Sequence, residues 1–313
     1  MERKSKNKKD TLTIFSDIFT KNECAIRFCR KNGLFSSSLS CHKCKQGTME
    51  LKTYNQSING LCYRCKSPKC KSRKALSFGF VMGGFKFQYC IILRAVFCYI
   101  LNFNNFQSAN MLGMEKKTFI KIKKVINNKL INYFKNEVLQ LGGPGISVQC
   151  DETAICNGRI ITDPTHKIDE TPNTQWILGF IEETTDRKCF LILIPDRKAE
   201  TFSNIFTKHL KKGTLLKTDG YPSYPKAALI SNLDHKIVNH SLGFVSSEGI
   251  NTNLIECVWG HFKTLYRSKH GLDKKNLIDF IAEFNWKKNF FRDKKNENIN
   301  ETFNNLISLI KKY

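Results

Sequence analysis

Two short cysteine knuckles, CHKC at 41–44 and LCYRCKSPKC at 61–70, limit what this chain can fold into more than any other feature. Cys41 and Cys44 form one CxxC pair; Cys65 and Cys70 form a wider second pair, with Cys62 as an alternative. Two thiol pairs about 20 residues apart have the spacing of a tetrahedral zinc ribbon. The reason is mechanical: a short β-hairpin brings both knuckles to one end, and a structural Zn2+ substitutes for a core too small to fold unaided. Four free cysteines in a basic loop would instead leave reactive thiolates beside many lysines. His42, inside the first knuckle, reads as a bystander. Others of the 13 cysteines (Cys90, Cys98, Cys189 and Cys257) sit singly in apolar runs and read as small buried hydrophobes. A secreted disulfide scaffold is smaller and carries a signal peptide, so the pattern points to a reducing, intracellular setting.

Around the second knuckle run Arg64, Lys66, Lys69, Lys71, Arg73 and Lys74, a density suited to phosphate contacts. They belong to a wider asymmetry. Residues 1–150 hold 27 Lys+Arg against 7 Asp+Glu, whereas the rest of the chain holds 24 against 20. A surplus confined to one half reads as a surface for a polyanion rather than as general solubility. The longest apolar run, YCIILRAVFCYIL at 89–101, is too short to span a bilayer and is broken by Arg94. No basic amphipathic helix presents a membrane-seeking aromatic face. The expected partner is therefore nucleic acid, not membrane. Residues 1–35 read as a basic N-terminal segment and 36–82 as the ribbon. In a nucleated host the lysine-rich first ten residues would serve as a nuclear signal or as a solvated tail.

Residues 87–101 read as a helix. The stretch 103–134 then reads as helix, tight turn, helix: Phe106, Ala109 and Leu112 mark the first, Gly113 the turn, and Thr118, Ile122, Val125 and Ile126 the second. This is helix-turn-helix spacing, with Lys116, Lys117, Lys121, Lys123 and Lys124 available to DNA. Residues 85–140 are thus expected to form a helical DNA-binding region, and LGGPG at 141–145 a linker or domain boundary.

The second half reads as strand, two-strand hairpin, helix, strand, short helix, strand, helix, a mixed α/β sheet. In such sheets, acids at the carboxyl ends of neighbouring strands converge on one edge. Asp151 is read as ending the first strand, ISVQCD, and Asp219 the fourth, GTLLKTD. HKIVNHS at 235–241 reads as the fifth strand. The following TNLIECVWGHFK (252–263) is an amphipathic helix whose apolar stripe is Leu254, Ile255, Val258, Trp259 and Phe262, with Glu256 and Lys263 outside it, nearly two turns apart. If the strands of Asp151 and Asp219 are adjacent, Glu256 completes a set of three hard oxygen donors suited to Mg2+ or Mn2+. Two such ions serve in-line phosphodiester displacement, with Lys263 touching a phosphate beside the scissile bond. Glu152 points to the opposite face from Asp151. Glu248, in a Gly/Ser-containing loop, ranks second to Glu256, and Asn239 and His240 are candidates for substrate contact. Trp176, Trp259 and Trp286 read as core.

In CDET around Asp151, QWILGFIEETTDRKCFLILIPDRKAET, KTDGYPSY around Asp219, VNHS and TNLIECVWGHFK, the chain resembles DDE transposases, most closely the Merlin-like group and its bacterial insertion-sequence relatives. The motifs occur in order, with gaps of 68 residues from Asp151 to Asp219, 37 to Glu256 and 7 to Lys263. The resemblance covers roughly residues 146–290. It implies an RNase H-like domain there, a catalytic Asp151, Asp219 and Glu256 triad binding two Mg2+ or Mn2+ ions, and assistance from Lys263. Residues 291–313 are expected to form a helical tail. The function so implied is a DNA transposase that binds terminal inverted repeats, cleaves them and joins them to target DNA. It would act as a homo-oligomer on double-stranded ends, in the nucleus of a nucleated host or otherwise in the cytoplasm with the nucleoid. A domesticated DNA-binding regulator and an RNase H-like nuclease without strand transfer are the alternatives.

Overall fold

The computed structural model describes residues 11–36, 38–80, 82–156, 159–161, 174–238, 252–269, 272–291 and 299–312. They fall into two units, one running to Leu130 and taking in Phe290 onward, the other spanning Ile131–Asn289.

In the first unit, helices α1 (Asp17–Thr20) and α2 (Asn22–Lys31) precede an antiparallel sheet. Its strands β1 (Ser38–Ser40), β2 (Thr48–Thr53), β3 (Leu61–Cys65) and β4 (Arg73–Ala75) pair in chain order. Helices α3 (Tyr89–Ile100), α4 (Asn105–Leu112) and α5 (Lys116–Asn136) follow, and α10 (Ile299–Lys312) returns from the C-terminus. α3 is apolar on nearly every side because it is buried on nearly every side: Phe97 meets Phe19 and Phe303. The Arg94 Nε–H that interrupts its apolar run donates to Phe19 O at 3.0 Å. Gly113 closes α4 in the left-handed conformation, φ +62°, which a glycine adopts without steric cost. α4 and α5 thus form the expected pair of helices around a tight turn.

The second unit is built on a mixed sheet of order β10-β9-β5-β7-β8. β5 (Ser147–Cys156) is central, β7 (Thr174–Glu182) and β8 (Cys189–Ile194) extend it antiparallel, and β9 (Leu215–Thr218) and β10 (Asp234–Ile237) extend it parallel. A short β6 (Arg159–Ile160) folds back on β5. Leaving aside the short β6 and numbering the other five strands in chain order, the sheet runs 5-4-1-2-3, the RNase H-like arrangement. Helices α6 (Ala199–His209) and α7 (Ser223–Ile230) cover one face around Val148, Cys150, Phe180 and Phe206. Helices α8 (Asn253–Arg267) and α9 (Lys274–Phe290) cover the other around Ile177, Leu191, Trp259 and Phe262. The outer edge of β8 is sealed by α9: Asn285 and Asn289, one turn apart, each pair their carboxamide with the backbone N–H and C=O of Leu191 and Cys189.

Three expectations need correction. β5 does not end at Asp151 but runs five residues further, because Glu152 to Cys156 continue the ladder with β7. What ends near Asp151 is the pairing with β9, whose last partners are Gln149 and Lys217. LGGPG is not a linker: Leu141 is fully buried and bonded through its backbone to His209 and Lys211 at the end of α6. Cys257 is exposed, since it follows Glu256 on the outer side of α8, whereas Cys90, Cys98 and Cys189 are buried as expected. Of the predicted fifth strand, Asn239 to Ser241 lie outside the described residues, as do His240 and Glu248. Among the described residues no helix is long and apolar enough to cross a membrane.

Candidate active site

The parallel ladder between β5 and β9 fixes the relation of the two aspartates. Ser147, Val148 and Gln149 pair with Leu215, Leu216 and Lys217, a constant offset of 68 residues. That is the sequence separation of Asp151 from Asp219, so each aspartate lies two residues beyond the last paired couple. Alternation along the strands puts Gln149 and Asp151, and likewise Lys217, on the α8 side of the sheet, while Asp219 follows the last residue of β9 and its charge acts on Asp151. The Asp219 Oδ1 accepts from the Tyr221 N–H at 3.0 Å. Its backbone carbonyl accepts from the Thr218 hydroxyl, whose oxygen contacts His235 Nε2 at 2.8 Å.

α8 meets the same face. The Trp259 Nε1–H donates to Asp151 Oδ2 at 2.9 Å, and the Glu152 backbone N–H donates to Oδ1 at 2.8 Å. Glu256 lies three residues before Trp259, one turn away on a helix, so their Cβ atoms are neighbours about 5–6 Å apart. Glu256 is exposed; Lys263, one turn beyond Trp259, is half-buried. Room for the indole comes from Gly179, paired with Asp151 across β7: a Cβ there would lie 2.7 Å from Trp259 Cζ2 and 2.8 Å from Leu191 Cδ2.

The electrostatics match this geometry. Burial, together with Glu152 and Asp219, pushes the Asp151 carboxyl up to about 8, against the pull of the Glu152 amide and the Trp259 indole. Burial lowers the Lys263 ammonium, while Asp151 favours its charged form. Asp151 is thus crowded by carboxylates, an environment in which a hard divalent cation would favour the ionised form. Among the described residues, however, the four ribbon cysteines form the group whose ligand atoms already lie close enough to share a metal, and Asp151, Asp219 and Glu256 do not form such a group.

Glu152 is spent elsewhere. It is buried on the α6–α7 side, where its carboxylate accepts from Arg197 and from the Tyr224 hydroxyl, and Arg197 in turn stacks over Trp176 and Tyr221. Trp176, Trp259 and Trp286 are all buried as expected, yet Trp259 also carries the bond to Asp151 that reading it as core overlooks. Its signal in the sequence is its place, three residues after Glu256 at the margin of the stripe.

In the ribbon, the sulfurs of Cys41, Cys44, Cys65 and Cys70 lie within 4.8 Å of one another, with Cys41–Cys70 at 3.6 Å and Cys44–Cys65 at 3.7 Å. A tetrahedron with Zn–S near 2.3 Å has edges of about 3.8 Å, so the cluster fits zinc. Cys62 lies outside the group, and His42 is exposed. The first knuckle needs Gly47: its N–H donates to Cys44 Sγ, and a Cβ would stand 2.8 Å from Cys65 Sγ. A backbone N–H at Cys44 and the Ser72 hydroxyl hold Cys41 down to about 5, whereas burial and the neighbouring sulfurs push Cys65 up to about 12. Four thiols this close ionise together only if a cation takes up their charge.

Arg64 and Arg73 are direct cross-strand partners on β3 and β4, both exposed. Like charges opposite one another are destabilising unless an anion lies over them. Lys69 and Lys71 are exposed, while Lys74 is half-buried with its ammonium 3.3 Å from the centre of the Phe78 ring. On α5, Lys116, Lys117 and Lys121 are exposed and Lys124 is half-buried.

Residues 140–289 match the profile of the ISXO2-like transposase domain, which supports placing the chain in a DDE transposase family. Comparison with curated proteins gives no match.

Proposed function

We propose that this chain is a DNA transposase of the Merlin-like kind, binding terminal inverted repeats through its basic first unit and cleaving and joining DNA in its second. The observation that carries the reading is the β5–β9 register, which ends two residues before both Asp151 and Asp219; the Asp219 charge acts on Asp151, and Trp259 ties α8 to Asp151 one turn from Glu256.

Asp151, Asp219 and Glu256 would hold two Mg2+ or Mn2+ ions. When bound, such ions activate an attacking oxygen and stabilise the departing one. The protein's own part is positional. Trp259 keeps the Asp151 carboxylate oriented, Asp219 is held through Tyr221 and Thr218, and Lys263 presents a positive charge to a phosphate beside the cleaved bond. Cys41, Cys44, Cys65 and Cys70 would hold a structural Zn2+. Arg64, Lys69, Lys71, Arg73 and Lys74 on the ribbon, with Lys116, Lys117, Lys121 and Lys124 on α5, would contact the phosphates of double-stranded element ends and target. Assembly on paired ends makes a homo-oligomer the expected active form, nuclear in a nucleated host.

Incubating the purified protein with labelled element ends, target DNA and Mg2+ or Mn2+ tests the proposal. Joined product is expected. Binding without cleavage would make the chain a DNA-binding regulator, and cleavage without joining a nuclease.

A further inference from the structure

Two rungs tie α8 to β5, and only one of them reaches a proposed metal ligand. The other begins at Gln149. Its Oε1 accepts the Ile255 backbone N–H at 3.0 Å, and its Nε2 donates to Glu183 Oε1 at 2.7 Å. Glu183 Oε2 in turn accepts from Lys217 Nζ at 2.6 Å. The order of donors is forced: a carboxylate only accepts, so the carboxamide must turn its NH2 to Glu183 and its oxygen to the helix. α8 needs that oxygen, because its N-cap residue Thr252 makes no side-chain capping bond.

The spacing of the rungs is matched. Gln149 and Asp151 are two residues apart on a strand, about 7 Å. Ile255 and Trp259 are four residues apart on a helix, about 6 Å. The helix is therefore fastened alongside β5 at both ends of the turn that carries Glu256, immediately after the first fastening. Lys217 on β9 and Glu183, the residue after β7, supply that first rung, so it also links the strand leading to Asp219.

We infer that Gln149, oriented by Glu183 and Lys217, is a positioning residue that sets the distance of Glu256 from Asp151 and Asp219 and thereby the affinity of the site for its divalent cations. The inference rests on the proposed role of Glu256 as a ligand. Partners of this kind, which orient a ligand without touching the metal, typically govern affinity by about 10–100-fold.

Mn2+ binding to the full-length protein, followed by the loss of the free-ion paramagnetic resonance signal, provides the test without reference to catalysis. Glu256→Gln, measured first, defines the site: loss of Mn2+ binding supports the ligand role, and unchanged binding overturns both that role and the inference. Gln149→Met keeps the side-chain length but offers no amide. It should weaken Mn2+ binding roughly 10–100-fold at temperatures where circular dichroism shows the protein folded. The double variant Gln149→Glu/Glu183→Gln exchanges the two groups while keeping all three hydrogen bonds and the net charge, and should return affinity to within about threefold of the original. Should Gln149→Met prove unfolded, the exchanged pair still decides: binding lost in the folded double variant overturns the inference. So does a folded Gln149→Met with undiminished affinity while Glu256→Gln has lost it, and in that case the reading of Glu256 survives.

Discussion

The indole N–H of Trp259 and the carboxylate of Asp151 meet at 2.9 Å across the interface of α8 and β5. The bond favours the ionised carboxylate that burial and two neighbouring acids oppose. Trp259→Phe keeps a large aromatic ring but removes the donor. A hydrogen bond to a charged group contributes about 1.5–3 kcal/mol, so cleavage should fall roughly 10–100-fold. With its donor gone, Asp151 should ionise only at higher pH, and the pH–rate profile should shift to the alkaline side. An unshifted profile would remove Trp259 from the site.

Asp151 also predicts how stability varies with pH. Its pKa is raised from an ordinary 3.8 to about 8, so the folded state binds the proton more tightly than the unfolded state. The stabilisation is full below the unfolded value and is lost as pH rises through about 8. In buffer freed of Mg2+ and Mn2+, the original protein should lose more stability between roughly pH 6 and pH 9 than Asp151→Asn does, and added Mn2+ should offset that loss. Equal slopes in chemical denaturation across that range would contradict the assigned shift.

The ribbon sulfurs predict one zinc per chain. Cys41→Ser should release it and unfold the ribbon, since metal binding and folding are one event in so small an element. Elemental analysis checks this directly, and active, reduced protein without zinc would refute it.

Arg64 and Arg73 face each other on adjacent strands, an arrangement that favours a bound polyanion. Reversing both to Glu in the full-length protein should weaken binding to element ends. It should also lower the slope of log affinity against log salt by roughly one for each phosphate that is no longer neutralised. A weakened affinity with an unchanged salt slope would mean that these arginines do not touch phosphate.

Much of this was legible in the sequence, for identifiable reasons. The zinc knuckles depend on local spacing, and α3, α4, α5 and α8 on local periodicity, so both can be read without knowing what packs where. The 68-residue gap between Asp151 and Asp219 turned out to equal the strand register. The true extent of β5 was hidden because the polar Glu152 and Thr153 break the apolar alternation; both are buried, and Arg197 and Tyr224 from distant elements satisfy Glu152. The bond from Trp259 to Asp151 was equally hidden. It depends on a missing side chain at Gly179, on a strand 80 residues earlier in the chain. Nothing local in 299–312 reports that α10 packs its Phe303 against Phe19, Phe28 and Phe97.

The most direct measurement compares Glu256→Gln with Glu152→Gln for cleavage of element ends, end binding and thermal stability. Glu256→Gln keeps size and helix propensity while removing the charge, so cleavage should fall by orders of magnitude with end binding and melting temperature nearly unchanged. Glu152→Gln leaves Arg197 buried beside a neutral partner and should instead lose stability, toward the roughly 3–5 kcal/mol typical of a broken buried pair. A fully active Glu256→Gln, above all beside an inactive Glu248→Gln, would contradict the account and mean that α8 shows Glu256 only to water.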